Sequence, residues 1–153
     1  MPRVSNIELL YTAEQPALCI RTHTPVTGLP RVIGESYAKL GAYICALGAS
    51  PADVPFVAYH NMDMENLDVQ MGFPMAETLP PGGDITYSPI PGGRRVFCIY
   101  RGPYADMAPV YDELAAYITQ NGYEAQGTAY EYYFNGPDCP ADELLTKIVM
   151  PIK

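Results

Sequence analysis

The chain has 153 residues, of which 48% are hydrophobic and 17% charged, a composition that indicates an ordered globular protein and excludes a disordered one. Nine Lys and Arg against 17 Asp and Glu give a formal net charge of −8, which argues against a nucleic-acid-binding surface because phosphate binding requires clustered basic residues. Neither a membrane span nor a signal peptide is recognisable, so we expect a cytoplasmic protein with no membrane partner.

The first half of the chain predicts a strand, a helix and two further strands. The segment "ALCIRTH" (17–23) has the pattern of a strand. Apolar residues over 29–47 then recur at helical spacing, and Pro30 suits the first helical turn. Short strands are predicted at 56–60 and 67–72, joined by the polar loop "NMDMEN".

The second half follows the same order after the linker "ETLPPGGDI" (77–85), whose prolines and glycines predict a loop. The segment "VFCIYR" (96–101) predicts a strand. A helix follows, with an apolar stripe and an end at Asn121-Gly122, where glycine adopts the left-handed conformation easily. Strands at 129–134 and 145–150 complete the half. The helical stripe consists of Met107, Val110, Tyr111, Leu114, Tyr117 and Ile118.

Matching segments recur in the same order at offsets between 74 and 79 residues, as in "FVAYHN" (56–61) and "YEYYFN" (130–135). Each half reads as a hairpin-like start, a helix and two strands, and a half this small can hardly bury its second sheet face alone. We therefore predict an α+β fold of duplicated β-α-β-β repeats, related by a pseudo-two-fold axis around a central ligand cleft. The single domain is 1–153, with repeats at about 1–78 and 79–153.

The strand in "TAYEYYFNGP" (128–137) carries one carboxylate, Glu131, among aromatic residues. Strand alternation places Glu131 and Tyr133 on one face and the larger apolar set, Tyr130, Tyr132 and Phe134, on the other. If that larger set packs under the helix, Glu131 faces the cleft, where a lipophilic cation can meet it. The alternative is an exposed edge position, or an internal ion pair with Arg94, Arg95 or Arg101.

Tyrosine is unusually frequent, with thirteen Tyr against four Phe and no Trp, and its flat apolar ring with a polar tip suits an adaptable pocket. Besides Glu131, the candidate ligand-binding residues are Tyr37, Tyr104, Tyr133 and, as the repeat partner of Tyr133, Tyr59. The scattered cysteines Cys19, Cys45, Cys98 and Cys139 form no CxxC pair, so we predict buried reduced thiols, with no metal and no cofactor.

The segments "SYAKL" (36–40), "RGPYADM" (101–107), "YEYY" (130–133) and "TKIVMPI" (146–152) together resemble the GyrI-like small-molecule-binding domain. This family includes the effector-binding domains of AraC-type and MerR-type multidrug-responsive regulators. The resemblance covers essentially the whole chain and implies a ligand pocket in which the glutamate matching Glu131 faces cationic aromatic compounds. It also implies that the tyrosine matching Tyr37 lines the pocket of a standalone member without a DNA-binding helix-turn-helix.

Two classes of function follow, and the sequence does not separate them. The first is a binding module that sequesters lipophilic, often cationic, aromatic compounds and thereby confers resistance to xenobiotics. The second is a hydrolase, because some standalone relatives are known to open the cyclopropane rings of genotoxic natural products; here Glu131 is the expected general base. A third reading, a gyrase-inhibitor-like module that binds an unknown protein partner, needs no chemistry.

Overall fold

The computed structural model describes residues 3–153, and within them the chain forms eight strands and two long helices. Short 3-10 turns lie at Val26–Gly28, Tyr104–Asp106 and Ala141–Glu143. In chain order the elements are β1 Glu8–Thr12, β2 Ala17–Thr24, α1 Leu29–Ala46, β3 Phe56–Tyr59, β4 Leu67–Pro74, β5 Thr86–Tyr87, β6 Gly93–Arg101, α2 Ala108–Gln120, β7 Ala129–Tyr133 and β8 Leu145–Pro151. Every helix and strand that the sequence predicts is therefore present, and the mixed helix and strand fold is confirmed.

The chain divides into two compact units. Unit 1 contains the described residues up to Ala13 together with Gly92–Lys153, and unit 2 is Glu14–Pro91. Neither helix in the described part of the chain is long and apolar enough to cross a membrane. The predicted repeats at 1–78 and 79–153 differ from these units by the short segments at their starts, and the pseudo-two-fold relation and the cleft stay predictions.

Unit 2 is an antiparallel sheet with the strand order β3-β4-β2-β5, and α1 packs on β2 and β4. The helix buries residues one turn apart, Ser36, Leu40 and Ile44, which is the spacing expected for one face of a helix. The loop that precedes β5 packs against α1, because the hydroxyl of Tyr43 on the helix donates a hydrogen bond to the carbonyl of Pro80 at 2.7 Å.

Unit 1 is an antiparallel sheet with the order β1-β6-β8-β7, and α2 packs on β6. Its core joins Val110, Leu114 and Ile118 of the helix to side chains of the two central strands. The strand side chains in this core are Val96, Cys98, Tyr100 and Ile148. The helix ends at Gln120, and Gly122 has a φ of 75°, so the predicted stop at Asn121-Gly122 is confirmed.

The predicted hairpin-like starts are wrong. Strand β1 pairs with β6 and not with its chain neighbour β2, while β5 pairs with β2. The connection between β1 and β2 ends in Pro16 and contains no Asn-Gly or Asp-Gly pair of the kind that closes a tight hairpin. Instead, Gln15 bridges to Ile90 within unit 2.

The condition under which Glu131 was placed in the cleft, that Tyr130, Tyr132 and Phe134 pack under the helix, is not met. Glu131 lies opposite Ile148 in the sheet, and residues directly opposite each other in a sheet share a face. Ile148 belongs to the core beneath α2, so the helix covers the face of Glu131. On the other face, Tyr132 is buried and lies under the Lys147 ammonium, 4.4 Å from the ring centre.

The prediction of buried, reduced cysteines is correct for two of the four residues. All four are free, with Cys19 and Cys98 buried, Cys139 half-buried and Cys45 exposed. Burial raises the pKa of Cys19 to about 12 and that of Cys98 to about 11, so both stay protonated at neutral pH. Cys45 is exposed because it lies on α1 beside the buried Ile44 and points off the packed stripe.

The turn after β6 depends on Gly102. Its φ is 141°, and a Cβ there would lie 2.7 Å from the Tyr100 hydroxyl, which donates to the Pro103 carbonyl at 2.6 Å. We expect Gly102→Ala to lower the free energy of unfolding by about 1–3 kcal/mol through backbone strain and this contact. Urea denaturation measures the change. Gly136→Ala is the matched control, because a Cβ there meets nothing within 4 Å. Equal losses of stability in both variants would contradict the claim that Gly102→Ala strains the backbone.

Candidate functional site

The carboxylate of Glu131 lies between two tyrosine hydroxyls of unit 1. Tyr111 on α2 donates to Oε2 at 2.5 Å, and Tyr133 on β7 donates to Oε1 at 2.8 Å. Tyr133 reaches the carboxylate because it is two residues further along the same strand and therefore on the same face. Tyr111 reaches it because α2 covers that face. Each carboxylate oxygen thus has one phenolic donor.

The environment of Glu131 disfavours its charged form. Burial of the carboxylate raises its pKa above the usual value for glutamic acid, and the hydrogen bonds from Tyr111 and Tyr133 offset part of this effect. Burial also raises the pKa of the Tyr104 hydroxyl, and the nearby charges of Glu131 and Cys139 add to that rise. The site therefore combines a half-buried acid, whose charged form is disfavoured, with the phenol of Tyr104, which stays protonated at neutral pH.

An aromatic pair flanks the carboxylate. The rings of Tyr104 and Tyr133 meet edge to face, with centres 5.5 Å apart and planes at 74°. Tyr104 follows the Gly102-Pro103 turn and is 49% exposed, so one side of this pair is open to solvent. We call Glu131, Tyr104, Tyr111 and Tyr133 the tyrosine–glutamate cluster.

The sheet geometry argues against an internal ion pair between Glu131 and an arginine of β6. Cys98 lies opposite Ile148 and hence on the face of Glu131, so Arg95 and Arg101, an odd number of residues away from Cys98, point to the opposite face. Arg94 shares the face of Glu131 but lies at the far end of β6, where it donates to the carbonyl of Lys153 at 2.6 Å. The tyrosine hydroxyls are the partners of Glu131.

Of the predicted site residues, the structure brings Glu131, Tyr104 and Tyr133 together, while Tyr37 and Tyr59 belong to unit 2. There the Tyr37 hydroxyl donates to the carbonyl of Phe56 at 2.8 Å. Tyr59 is half-buried at the end of β3. The ligand-binding roles of Tyr37 and Tyr59 stay predictions.

The residue that the sequence reasoning missed is Tyr111, which it assigned to the apolar stripe of the second helix. A usable signal was present, since the repeat offset of 74 residues that relates Tyr59 to Tyr133 also relates Tyr37 to Tyr111. Applied to the candidate Tyr37, this offset would have placed a helical tyrosine in the same half of the chain as Glu131.

The site offers hydrogen bonds, one acid and aromatic surface, but no set of metal ligands. Within residues 3–153, no three His, Cys, Asp or Glu side chains are grouped so that they could hold a metal ion. The chemistry available to the tyrosine–glutamate cluster is therefore binding of a positive centre beside aromatic rings, or proton transfer to and from Glu131.

The chain belongs to the family of the GyrI-like small molecule binding domain, whose model matches residues 5–153. The resemblance drawn from the sequence is thereby confirmed, and the protein is a small-molecule-binding domain of this class. No curated protein matches the chain.

Solved structures share its fold. EcmrR in its complex with DNA superposes with a TM-score of 0.83 at 21% sequence identity; the match covers 98% of this chain, which spans 58% of the EcmrR chain. The EcmrR C-terminal domain gives a TM-score of 0.75 at 23% identity, and the match covers 98% of each chain. A hydrolase from Listeria innocua gives 0.74 at 12% identity, covering 100% of this chain and 94% of that one. SAV2435 bound to tetraphenylphosphonium gives 0.69 at 12% identity, covering 97% and 94%.

The raised pKa of Glu131 makes a prediction about stability. Because the folded protein binds the proton of Glu131 more tightly than the unfolded chain, this contribution to stability is fully present below the ordinary pKa of glutamic acid. It is lost as the pH rises through the folded pKa. Relative to Glu131→Gln, the wild-type protein should lose stability as the pH rises from the ordinary pKa of glutamic acid through the raised pKa of folded Glu131, as measured by urea denaturation at several pH values.

Two further variants sharpen this measurement. Glu65→Gln removes one negative charge from an exposed loop, so any pH effect of overall charge appears in that variant as well. Tyr111→Phe removes a donor to the charged form of Glu131 and should move the loss of stability to higher pH. Wild-type and Glu131→Gln curves that run parallel over the whole range would contradict the raised pKa.

Proposed function

We propose that the protein binds lipophilic, often cationic, aromatic compounds at the tyrosine–glutamate cluster. The observation that carries the proposal is the Glu131 carboxylate, which burial and two tyrosine hydroxyls hold in a poorly solvated position beside the Tyr104–Tyr133 pair. Supporting it, the family is one of small-molecule-binding domains. SAV2435, which has the same fold, is bound to tetraphenylphosphonium, a cation surrounded by aromatic rings.

The energetics favour a large flat cation over a small hydrated one. An ion pair at ~4 Å with an effective dielectric of ~20 is worth roughly 4 kcal/mol before the ions are desolvated. The desolvation of Glu131 is already part of folding, and its two hydroxyl donors fix the carboxylate in place. A cation with a diffuse, weakly hydrated charge therefore gains the most, and each ring contact adds about 0.5–2 kcal/mol.

Tetraphenylphosphonium is the appropriate probe, with tetraphenylborate as an anion of the same shape and triphenylphosphine oxide as a neutral compound. We expect Glu131→Gln to weaken tetraphenylphosphonium binding roughly 10- to 100-fold, because the variant keeps the shape of the side chain and removes its charge. Binding of triphenylphosphine oxide should change less than about threefold. Isothermal titration calorimetry of each compound with each protein measures these affinities.

The matched control is again Glu65→Gln, which lowers the net negative charge equally but lies on an exposed loop of unit 2. It should bind tetraphenylphosphonium as the wild-type protein does. If Glu131→Gln weakens all compounds alike, or if Glu65→Gln weakens the cation as much, Glu131 does not recognise charge and the proposal fails.

A second candidate function is hydrolysis of a strained electrophile, and the specific observation in its favour is the raised pKa of Glu131 beside phenolic donors. Such a carboxylate can take a proton from water while the water oxygen bonds to a cyclopropane carbon. The broken ring bond leaves its electron pair on the conjugated carbonyl of the substrate, which then takes up a proton. A hydrolase from Listeria innocua has the same fold.

Turnover separates the two functions. If binding is the sole activity, a cyclopropane-bearing electrophile incubated with the protein should give at most one equivalent of ring-opened product per chain by mass spectrometry. Hydrolysis should give many equivalents and should fall at least about 100-fold in Glu131→Gln, the loss expected for a general base. Sustained turnover by Glu131→Gln at the wild-type rate would exclude Glu131 as the base.

A further inference from the structure

Strand β1 is an outer strand of the unit 1 sheet and exposes large apolar side chains. It pairs with β6 along its whole length, and the order β1-β6-β8-β7 leaves its other side at the end of that sheet in the described part of the chain. Leu9, Leu10 and Tyr11 are 40%, 46% and 74% exposed. An edge strand thus presents unpaired backbone groups together with three consecutive large apolar side chains.

Edge strands are ordinarily protected against pairing with another chain by lysine, proline, a bulge or very short length. The sequence of β1, "ELLYT", contains neither lysine nor proline, and its register with β6 runs without interruption from Glu8 to Thr12. The two ends of the complete strand order are β1 and β5, and β5 consists of two residues only. Of these two end strands, β1 is therefore the one long enough to pair with a further strand.

We propose that β1 pairs antiparallel with β1 of a second copy of the chain, about a two-fold axis that passes through Leu10 perpendicular to the sheet. In this register Leu10 lies opposite Leu10 of the second copy, on the face that β1 shares with Arg95. Leu9 lies opposite Tyr11 of the second copy, on the face that β1 shares with Val96. All three exposed apolar side chains gain an apolar neighbour.

Charge selects the same register. With the axis at Leu10, Glu8 lies opposite Thr12, and the two copies of Glu8 are four residues apart along the strands, or about 13 Å, beyond the Debye length of about 8 Å at physiological salt. With the axis at Tyr11, Glu8 would face Glu14 of the second copy, and with the axis at Leu9 it would face Leu10. An unrelated extended peptide would supply backbone hydrogen bonds but not this side-chain match, which is why the occupant is a second copy.

The dimer should be reversible and should depend on salt. A five-residue strand buries far less than the roughly 800 Å² per partner of a standard interface, so association should be weak. Each copy carries a net charge of −8, and the repulsion between copies is screened by salt. Raising the salt concentration should therefore strengthen the dimer, whereas an interface held by ion pairs would weaken.

Sedimentation velocity over a concentration series of about 10 µM to 1 mM, at low salt and at about 0.5 M salt, tests the proposal. Wild-type protein should shift from monomer to dimer with concentration, and at lower concentration when salt is high. Leu10→Glu should remain monomeric, since two carboxylates would face each other at the axis. The same acid lies beside Arg95 within its own chain, so folding should be preserved.

Met62→Glu is the matched control, because it adds the same charge at a residue that is 76% exposed in the loop between β3 and β4. It should dimerise as the wild-type protein does. A wild-type protein that stays monomeric at 1 mM, or a dimer that Leu10→Glu leaves intact, would overturn the proposal.

A cross-link tests the register independently of Leu10→Glu. In Leu10→Cys the two introduced thiols would lie at the axis, where directly opposite residues have Cα atoms about 4.5–5.5 Å apart, within disulfide range. Mild oxidation should give a dimer linked between the two residues 10, and peptide mapping distinguishes it from a link through the exposed Cys45. Linkage through Cys45 alone would count against the axis at Leu10.

Discussion

The pair of hydrogen bonds that Tyr111 and Tyr133 donate to Glu131 is the interaction on which the site depends. A carboxylate removed from water is unstable unless its oxygens find donors. Phenolic hydroxyls provide those donors without bringing a positive charge, so the acid stays electrostatically unneutralised. An arginine at either position would have stabilised Glu131 more strongly and would also have neutralised the charge that the proposed cationic ligand requires.

The fold produces this arrangement through register and helix placement. The pairing of β7 with β8 directs Glu131 and Tyr133 to the face beneath α2, and Tyr111 extends from the helix to meet them. On the same side of unit 1, the Gly102-Pro103 turn after β6 brings Tyr104 against Tyr133. The cluster therefore draws on three parts of unit 1, namely β7 for Glu131 and Tyr133, α2 for Tyr111 and the turn after β6 for Tyr104. The core beneath α2 fixes the positions of β7 and α2 relative to each other.

Local patterns in the sequence were sufficient for both helices and for six of the eight strands, because helical spacing and strand alternation are properties of neighbouring residues. They were insufficient for strand partners. The assignment of β1 to β6 depends on contacts between residues some 85 positions apart, such as Leu10 with Arg95, which no local pattern encodes. The face of Glu131 was misjudged for a related reason, since alternation tells which residues share a face but not which face the helix covers.

The site residues show the same limit. Glu131 and Tyr133 could be found on one strand, and Tyr104 was a candidate because tyrosine is so frequent, whereas Tyr111 has the helical spacing of a core residue. Its hydroxyl reaches a carboxylate only because α2 and β7 lie side by side, which is a tertiary fact. The offset of 74 residues from Tyr37 points to Tyr111, but the sequence alone does not show that the predicted repeat holds for single residues.

A comparison of the two units indicates that a helix with a tyrosine can pack on a strand without a carboxylate such as Glu131. Counting back 74 residues, the position of Glu131 is occupied in unit 2 by Val57, which is fully buried. Tyr37, at the same offset from Tyr111, satisfies its hydroxyl on the backbone carbonyl of Phe56. A helical tyrosine over a β strand is thus stable without a carboxylate, and a valine avoids the cost of burying a charge. The packing of a helical tyrosine on a strand therefore does not by itself account for Glu131, and this supports the proposal that a ligand uses its charge.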